Sequence, residues 1–201
     1  VTEAFASGKY DILLGTQMIS KGLDFPNVTL VGIINADASL NIPDYQSNER
    51  TFELLCQASG RSGRGEKNGE VFIQTYNPET PIFTFVKNHD YKKFFLYEMN
   101  IRKTLKYPPY YYLCFLKVKS KDYKQAIDEA RKIKDYLDKN LTQDYIVLGP
   151  ATANMFLVNG VYNFEIYIKY KKEEKLYQVL KELDKLMLVN SKVQLDIDFL
   201  E

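Results

Sequence analysis

Cysteine is scarce in this sequence: Cys56 and Cys114 stand far apart, with neither a second cysteine nor a spaced histidine beside either one. That spacing excludes a metal knuckle, and a reduced, cytoplasmic setting is the simplest reading. Histidine occurs once, as His89 in "KNHDYKK", between helical segments, and takes no role. Excess charge is missing too. Lys+Arg number 27 and Asp+Glu 26, so the net charge is +1 and the field of the whole molecule cannot hold a polyanion. Any contact with nucleic acid or nucleotide must be local. No apolar run approaches the roughly 20 residues of a membrane span, and "VTEAFASGKY" lacks the layout of a signal peptide. No Gly-x-x-x-x-Gly-Lys-Ser/Thr occurs, and no Asp-Glu pair closes a buried strand, so a phosphate-cradling loop with its magnesium carboxylates is absent from the sequence.

What is present is ample material for a core: 201 residues, 45% of them hydrophobic and 14% aromatic, enough for one or two domains. The opening residues read as the last turns of a helix begun earlier, which leads us to expect that the chain starts inside a domain. "DILLGT" (11–16) and "VTLVGIINAD" (28–37) are continuous apolar runs, the pattern of strands buried on both faces of a parallel sheet. Residues 38–46 read as a loop, 47–58 as a helix and "EVFIQTY" (70–76) as a third strand. Strands alternating with helices indicate an α/β sheet, with too few elements for a whole domain. A helical stretch over 81–105, broken near Asn88 to Asp90, leads to "YPPYYY" (107–112), where two prolines forbid helix and mark a boundary.

Beyond that boundary the pattern changes. "YYLCFLKVK" reads as a strand. Residues 122–137 form an amphipathic helix with Ala126, Ala130, Ile133 and Leu137 on one face and Asp122 as cap. "YIVLGP" (145–150) is a short strand and turn; "NFEIYIKY" (163–170) turns Phe164, Ile166, Ile168 and Tyr170 inward; 173–186 is a second helix. "KVQLDIDFL" (192–200) turns Val193, Leu195, Ile197 and Phe199 inward, with Asp196 and Asp198 solvated outside. The order β-α-β-β-α-β is that of a small α+β, ferredoxin-like sandwich. The expected domains are therefore 1–106 and 107–201.

The chemistry concentrates in "QASGRSGRG" (57–65), which fixes Arg61 and Arg64 three positions apart among glycines and serines. At about 5–6 Å and an effective dielectric near 20, their repulsion is on the order of 3 kcal/mol. An anion of more than unit charge offsets it, and two planar guanidinium forks suit the oxygens of a phosphate. A solvated surface turn is the plain alternative, and spacing alone does not separate the two. In "GTQMISKGLDFPNV" (15–28), Thr16 and Gln17 offer donors at a helix start and Gly22 and Asp24 follow in a turn, where backbone amides meet phosphates. Taken singly, Thr16 is better explained as a helix cap and Asp24 as a turn residue before Pro26.

Together these segments resemble something specific. "ILLGTQMISKGLDFPNVTLVGIINAD" looks like motif V and "QASGRSGRG" like motif VI of superfamily-two helicases. With "LNIPDYQSNERTFELLCQ", "EVFIQTYNPE", "YPPY" and "VLGPA" in order, the resemblance covers essentially the whole chain and narrows to the PriA family of bacterial replication-restart helicases, primosomal protein N′. It implies a partial RecA-like second motor lobe over 1–106 and a C-terminal domain over 107–201. By position it implies that Gln57, Arg61 and Arg64 reach the γ-phosphate of ATP, as arginine fingers do. Gly22 and Asp24 would lie on the nucleotide side of a cleft, and Thr16, Gln17 and Lys21 would face the backbone of a single DNA strand. ATP and magnesium would be held mainly by a lobe outside this sequence. Zinc would belong only to the full-length protein, because nothing here matches the family's cysteine-rich insertion. The partners implied are forked and single-stranded DNA, other primosome proteins and single-strand-binding protein, with no membrane, in the cytoplasm.

In the family the C-terminal domain resembles a small ribosomal-subunit protein and helps bind DNA at forks. Its candidate contacts here are Lys117, Lys119, Lys121 and Lys124, interleaved with Tyr112 and Tyr123, although such lysines more often form a solvated strand edge. "LDIDFLE" departs from the family's Asp-x-Asp-Pro. Two readings of function remain: the rear part of an ATP-dependent 3′-to-5′ DNA helicase acting at stalled forks in replication restart, or a non-enzymatic interaction module built on a retired helicase lobe. Intact Arg61, Arg64 and Asp24 favour the first, since a retired cleft has no reason to keep unpaired charges.

Overall fold

The structure, a computed structural model, describes residues 1–16, 25–60, 69–187 and 193–200. The chain divides into two compact units, 1–100 and 101–201.

In the first unit a short helix α1 (Thr2–Ala6) is followed by strand β1 (Leu30–Ile33), helices α2 (Asp37–Leu40) and α3 (Ser47–Ser59), strand β2 (Glu70–Ile73) and helix α4 (Pro81–Lys87). Helix α5 (Tyr91–Leu105) runs across the division. β1 and β2 pair in parallel from Leu30 opposite Glu70 to Ile33 opposite Ile73. Helix α3 exists because Thr51, Phe52, Leu55 and Ala58 recur at helical spacing and all four are buried. Phe52 and Leu55 cluster with Ala36, Ile82, Val86 and Phe94, and the rings of Phe52 and Phe94 stack with centroids 4.1 Å apart. Pro81 stands in the first turn of α4, where its missing N–H costs nothing. The break between α4 and α5 falls where expected: His89 adopts a left-handed φ of 49°, and Asp90 accepts from the Lys93 amide at 2.9 Å to start α5.

Two expectations for this unit need correction. Residues 11–16 form no strand, and Ile12 and Leu14 are 84% and 83% exposed. An apolar run becomes a buried strand only when a neighbour supplies the ladder, and none of the described residues pairs with it. Nor are β1 and β2 buried on both faces. Val31, Ile33, Val71 and Ile73 are half-buried on the helix side, while Leu30 and Phe72 face outward and exposed.

The second unit continues with β3 (Tyr112–Ser120), α6 (Tyr123–Asn140), β4 (Ile146–Val158), β5 (Val161–Tyr170), α7 (Glu174–Met187) and β6 (Gln194–Leu200). The four strands make one antiparallel sheet in the order β4-β5-β3-β6. Asp122 caps α6 by accepting from the Gln125 amide at 2.8 Å. Ala126, Ala130, Ile133 and Leu137 of α6, with Leu176, Val179, Leu180 and Leu183 of α7, cover Cys114, Leu116, Val118, Phe164, Ile166 and Ile168 of the central strands. Each fully buried leucine or isoleucine here contributes about 1.5–3 kcal/mol.

Strand β4 is longer than the expected 145–150. Residues 149 and 150 together oppose the single residue Ile166 of β5, a bulge that absorbs Gly149 and Pro150 without ending the strand. The strand then runs on to Asn159 and Gly160, whose φ of 51° and 76° make a two-residue hairpin turn. Phe199, expected inward, is 43% exposed; it lies on β6, the sheet edge, outside the buried cluster.

Candidate nucleotide and nucleic-acid site

Helix α3 leads directly into the arginine segment, and its core face decides which side chains stay free. With Phe52, Leu55 and Ala58 turned inward, Glu53 and Gln57 one turn apart are exposed on the opposite side. Gln57 is therefore presented to solvent, as a group meant for a ligand must be. The helix closes just after it: Ser59 Oγ donates to the Leu55 carbonyl at 2.7 Å and the Gly60 amide to the Cys56 carbonyl at 3.0 Å. Gly60 has an ordinary φ of −71°, and an added Cβ there would come no closer than 3.5 Å to its neighbours, so the described residues do not themselves require glycine. Thr16, the other expected site residue in view, is exposed in irregular chain. Gln17, Lys21, Gly22, Asp24, Arg61 and Arg64 lie outside the described residues, so their grouping with Gln57 and Thr16 stays an expectation.

The segment that precedes α3 is held by its own side chains. Arg50 of α3 donates to Asp44 and to the Gln46 side-chain oxygen, each at 2.6 Å, and Ser47 Oγ donates to the Ile42 carbonyl at 2.6 Å. Arg50 is thus spent on the loop and is no candidate for an external anion. Asn48 Nδ2 donates to Glu98 of α5 at 3.1 Å, where that carboxylate is buried.

Sequence reasoning missed Asp37. Buried where the chain leaves β1, it accepts from Thr75 Oγ1 and from the Tyr76 amide, both at 2.9 Å, and so ties the exits of the two parallel strands together. The Tyr76 amide, helped by the Thr75 hydroxyl, holds its carboxyl below the ordinary carboxylate range despite burial. The only signal was its place after an apolar run; the partners lie far along the chain.

In the second unit the structure sorts the candidate lysines. Lys117 stands opposite Glu165 in the β3–β5 register with its ammonium 3.7 Å from the carboxylate, and Lys119 is ion-paired to Asp196 of β6. Tyr167 Oη adds a 2.9 Å hydrogen bond to Glu165, so this face of the sheet largely neutralises itself. Asp196 is pulled below the ordinary carboxylate range first by the Lys119 hydrogen bond. It is a salt-bridge partner rather than a merely solvated group. Cys114 is fully buried, and burial pushes its thiol up to about 12; Cys56 is half-buried and raised for the same reason. Among the described residues no three His, Cys, Asp or Glu side chains are grouped to hold a metal ion. No helix among them is long and apolar enough to cross a membrane.

Comparison with known proteins bears on the same two units. Residues 1–66 match the helicase conserved C-terminal domain, and residues 103–200 match the primosomal protein N C-terminal domain. The replication restart protein PriA of Bacillus subtilis is 48% identical over 180 residues, which is 90% of this chain and 22% of that protein. PriA of Synechocystis is 38% identical over 98% of this chain and 23% of its own length, and PriA of Rickettsia typhi 40% identical over 94% of this chain and 28% of its own. The chain thus spans about a quarter of the length of the relatives it matches. A solved structure of the designed protein Foldit4 aligns with 45% of the chain at 9% identity and a TM-score of 0.37, too low to bear on the fold. Two domain matches and relatives alike along nearly the whole chain agree: the chain belongs to the family of the replication restart protein PriA, and carries the C-terminal domain of that family at residues 103–200.

Proposed function

We propose that the chain is the C-terminal part of an ATP-dependent 3′-to-5′ DNA helicase that acts at stalled replication forks and promotes primosome assembly and replication restart in the cytoplasm. The observation that carries the reading is the course of α3: its core face leaves Gln57 exposed and its last turn ends at Gly60, immediately before Arg61 and Arg64. Those three side chains would hold the γ-phosphate of ATP, Asp24 and Gly22 would lie beside the nucleotide, and Thr16, Gln17 and Lys21 would grip the DNA backbone. ATP with magnesium supplies the phosphoryl transfer that drives movement along the strand. The arginines neutralise charge on the transferring group, and their planar forks fix its orientation. Zinc belongs to another part of the full-length protein, and its DNA, primosome and single-strand-binding partners follow from the same reading.

We assign residues 1–106 to the end of the second RecA-like lobe with its connecting helices, and 107–201 to a C-terminal domain of ferredoxin-like type. The β-α-β-β-α-β order and the strand sequence β4-β5-β3-β6, with both helices on one face, support that type. The test is unwinding of a labelled fork by the purified full-length protein. ATP-dependent displacement that needs a 3′ single strand is expected. Fork binding without ATP hydrolysis would overturn the helicase reading in favour of an interaction module.

A further inference from the structure

Helix α3 carries Gln57 in its last turn and leads straight into Arg61 and Arg64, so its placement decides where those side chains end. Its core face does not fix that placement alone, because apolar contact has no direction and a helix can slide or tilt over it at little cost. Nor do its loop bonds. Ser47 bonds Ile42, and Arg50 bonds Asp44 and Gln46, all within a few residues, so the loop and the helix start move as one piece. Asn48 is different: its Nδ2 donates across 50 residues of chain to Glu98 of α5 at 3.1 Å. Glu98 is 3% exposed, and a buried carboxylate is costly to part from a donor, which makes this bond specific in length and direction. Beside it, one turn along each helix, Phe52 and Phe94 stack with an interplanar angle of 1°. Flat rings set the spacing of the two helices and leave sliding free; the Asn48–Glu98 bond stops the slide. Both residues lie in the first unit.

Distance along α3 gives this bond its leverage. From Asn48 to Gly60 the helix rises about 18 Å, so a tilt of about 3° about its first turn moves its last residue by about 1 Å. A displacement of about 1 Å at a catalytic group can cost about 10²-fold in rate. Glu98 lies outside both motif-like segments and between the two domain matches, the first ending at residue 66 and the second beginning at 103. We propose that Glu98 is a positioning residue for ATP hydrolysis: by holding Asn48 it sets the axial placement of α3, and through it the reach of Gln57, Arg61 and Arg64 toward the γ-phosphate. This inference rests on the helicase reading and adds to it a residue that touches neither nucleotide nor DNA.

The test is DNA-stimulated ATP hydrolysis by the full-length protein, with kcat and single-strand affinity measured side by side. Asn48→Asp sets a second carboxylate against Glu98 and is expected to lower kcat by about 10- to 100-fold while single-strand affinity stays within a small factor. Glu98→Leu, which removes the acceptor, should lose as much. Glu98→Gln keeps an oxygen that accepts from Asn48 and should stay within about twofold of the unsubstituted protein. Combining Asn48→Asp with Glu98→Gln exchanges donor and acceptor, and should restore most of the loss. In an Arg64→Ala background, Asn48→Asp should lower hydrolysis no further, because two changes that act through one group are not additive. If Asn48→Asp does not fold, Asn48→Ala, which drops the donor and adds no charge, is read in its place. Unchanged kcat in the single variants, no recovery in the combined one, or the full further loss in the Arg64→Ala background overturns the assignment, the last because it marks a role in stability alone. Each of these leaves the helicase reading standing. Absence of ATP hydrolysis by the unsubstituted protein removes that reading and this one together.

Discussion

Replacing Gly149 by alanine tests whether the bulge in β4 is as tight as it looks. Gly149 has a φ of 103°, and a Cβ built on it would lie 2.6 Å from the Glu165 carbonyl oxygen and 3.3 Å from the Ile166 Cα. Both obstacles are backbone of a central strand, which cannot withdraw without loosening its pairing with β3. The strained φ costs about 1–3 kcal/mol and the crowding about 1–3 kcal/mol more, so a loss of roughly 2–6 kcal/mol is expected. At about 4–8 °C per kcal/mol for a domain near 100 residues, the second unit should melt at least roughly 8 °C lower. Gly160→Ala is the control, because its φ is 76° but nothing lies within 4 Å of an added Cβ. It should cost only about 1–2 kcal/mol. Urea unfolding followed by circular dichroism, with both variants beside the unsubstituted chain, measures the difference. If Gly149→Ala loses no more than Gly160→Ala, the close approach to Glu165 is wrong.

Asp37, whose folded-state carboxyl lies below its ordinary value near 3.8, contributes stability that is present above that pH and lost as the pH falls through it toward the folded value. Asp37→Asn should therefore flatten the acid side of the stability profile between pH 5 and pH 3, roughly the range in which a free carboxyl titrates, as urea midpoints at each pH will show. Cys114, buried with its thiol pushed up to about 12, should resist iodoacetamide in the native chain and react fully in urea, with mass spectrometry reporting the label; native alkylation at the rate of a free thiol would contradict its burial. The 201-residue chain alone should not turn over ATP with or without single-stranded DNA, because its sequence supplies fingers without a cradle, and DNA-stimulated hydrolysis that copurifies with it would refute that.

The second unit was legible because its inward residues alternate on strands and recur on helices, and the burial of Phe164, Ile166, Ile168, Ala126 and Ile133 follows that pattern. The end of β4 was not, because Gly149–Pro150 has the composition of a strand terminator and serves here as a bulge. The Asn159–Gly160 dipeptide between "FLV" and "VYNF" was the signal that the hairpin continues. Residues 11–16 were over-read for the opposite reason: apolar composition names a strand only when a neighbour exists to pair with it. At the candidate site, Arg61 and Arg64 are visible in sequence as two like charges three positions apart among glycines and serines. The Asp37 clamp and the Asn48–Glu98 bond are not, because folding alone brings their members together from distant segments.

The central claim is that the arginine segment after α3 acts on a triphosphate, and ATP turnover beside nucleotide affinity in the full-length protein tests it most directly. Arg64→Ala should leave ATP affinity within a small factor and lower hydrolysis by about 10³-fold or more, the range of arginine fingers. Arg61→Ala should weaken both, and lysine at either position should fall short of full rescue because it keeps the charge and loses the planar fork. Full activity in both lysine variants would replace bidentate recognition with simple charge neutralisation. Full activity in both alanine variants would make "QASGRSGRG" a solvated surface turn and contradict the account.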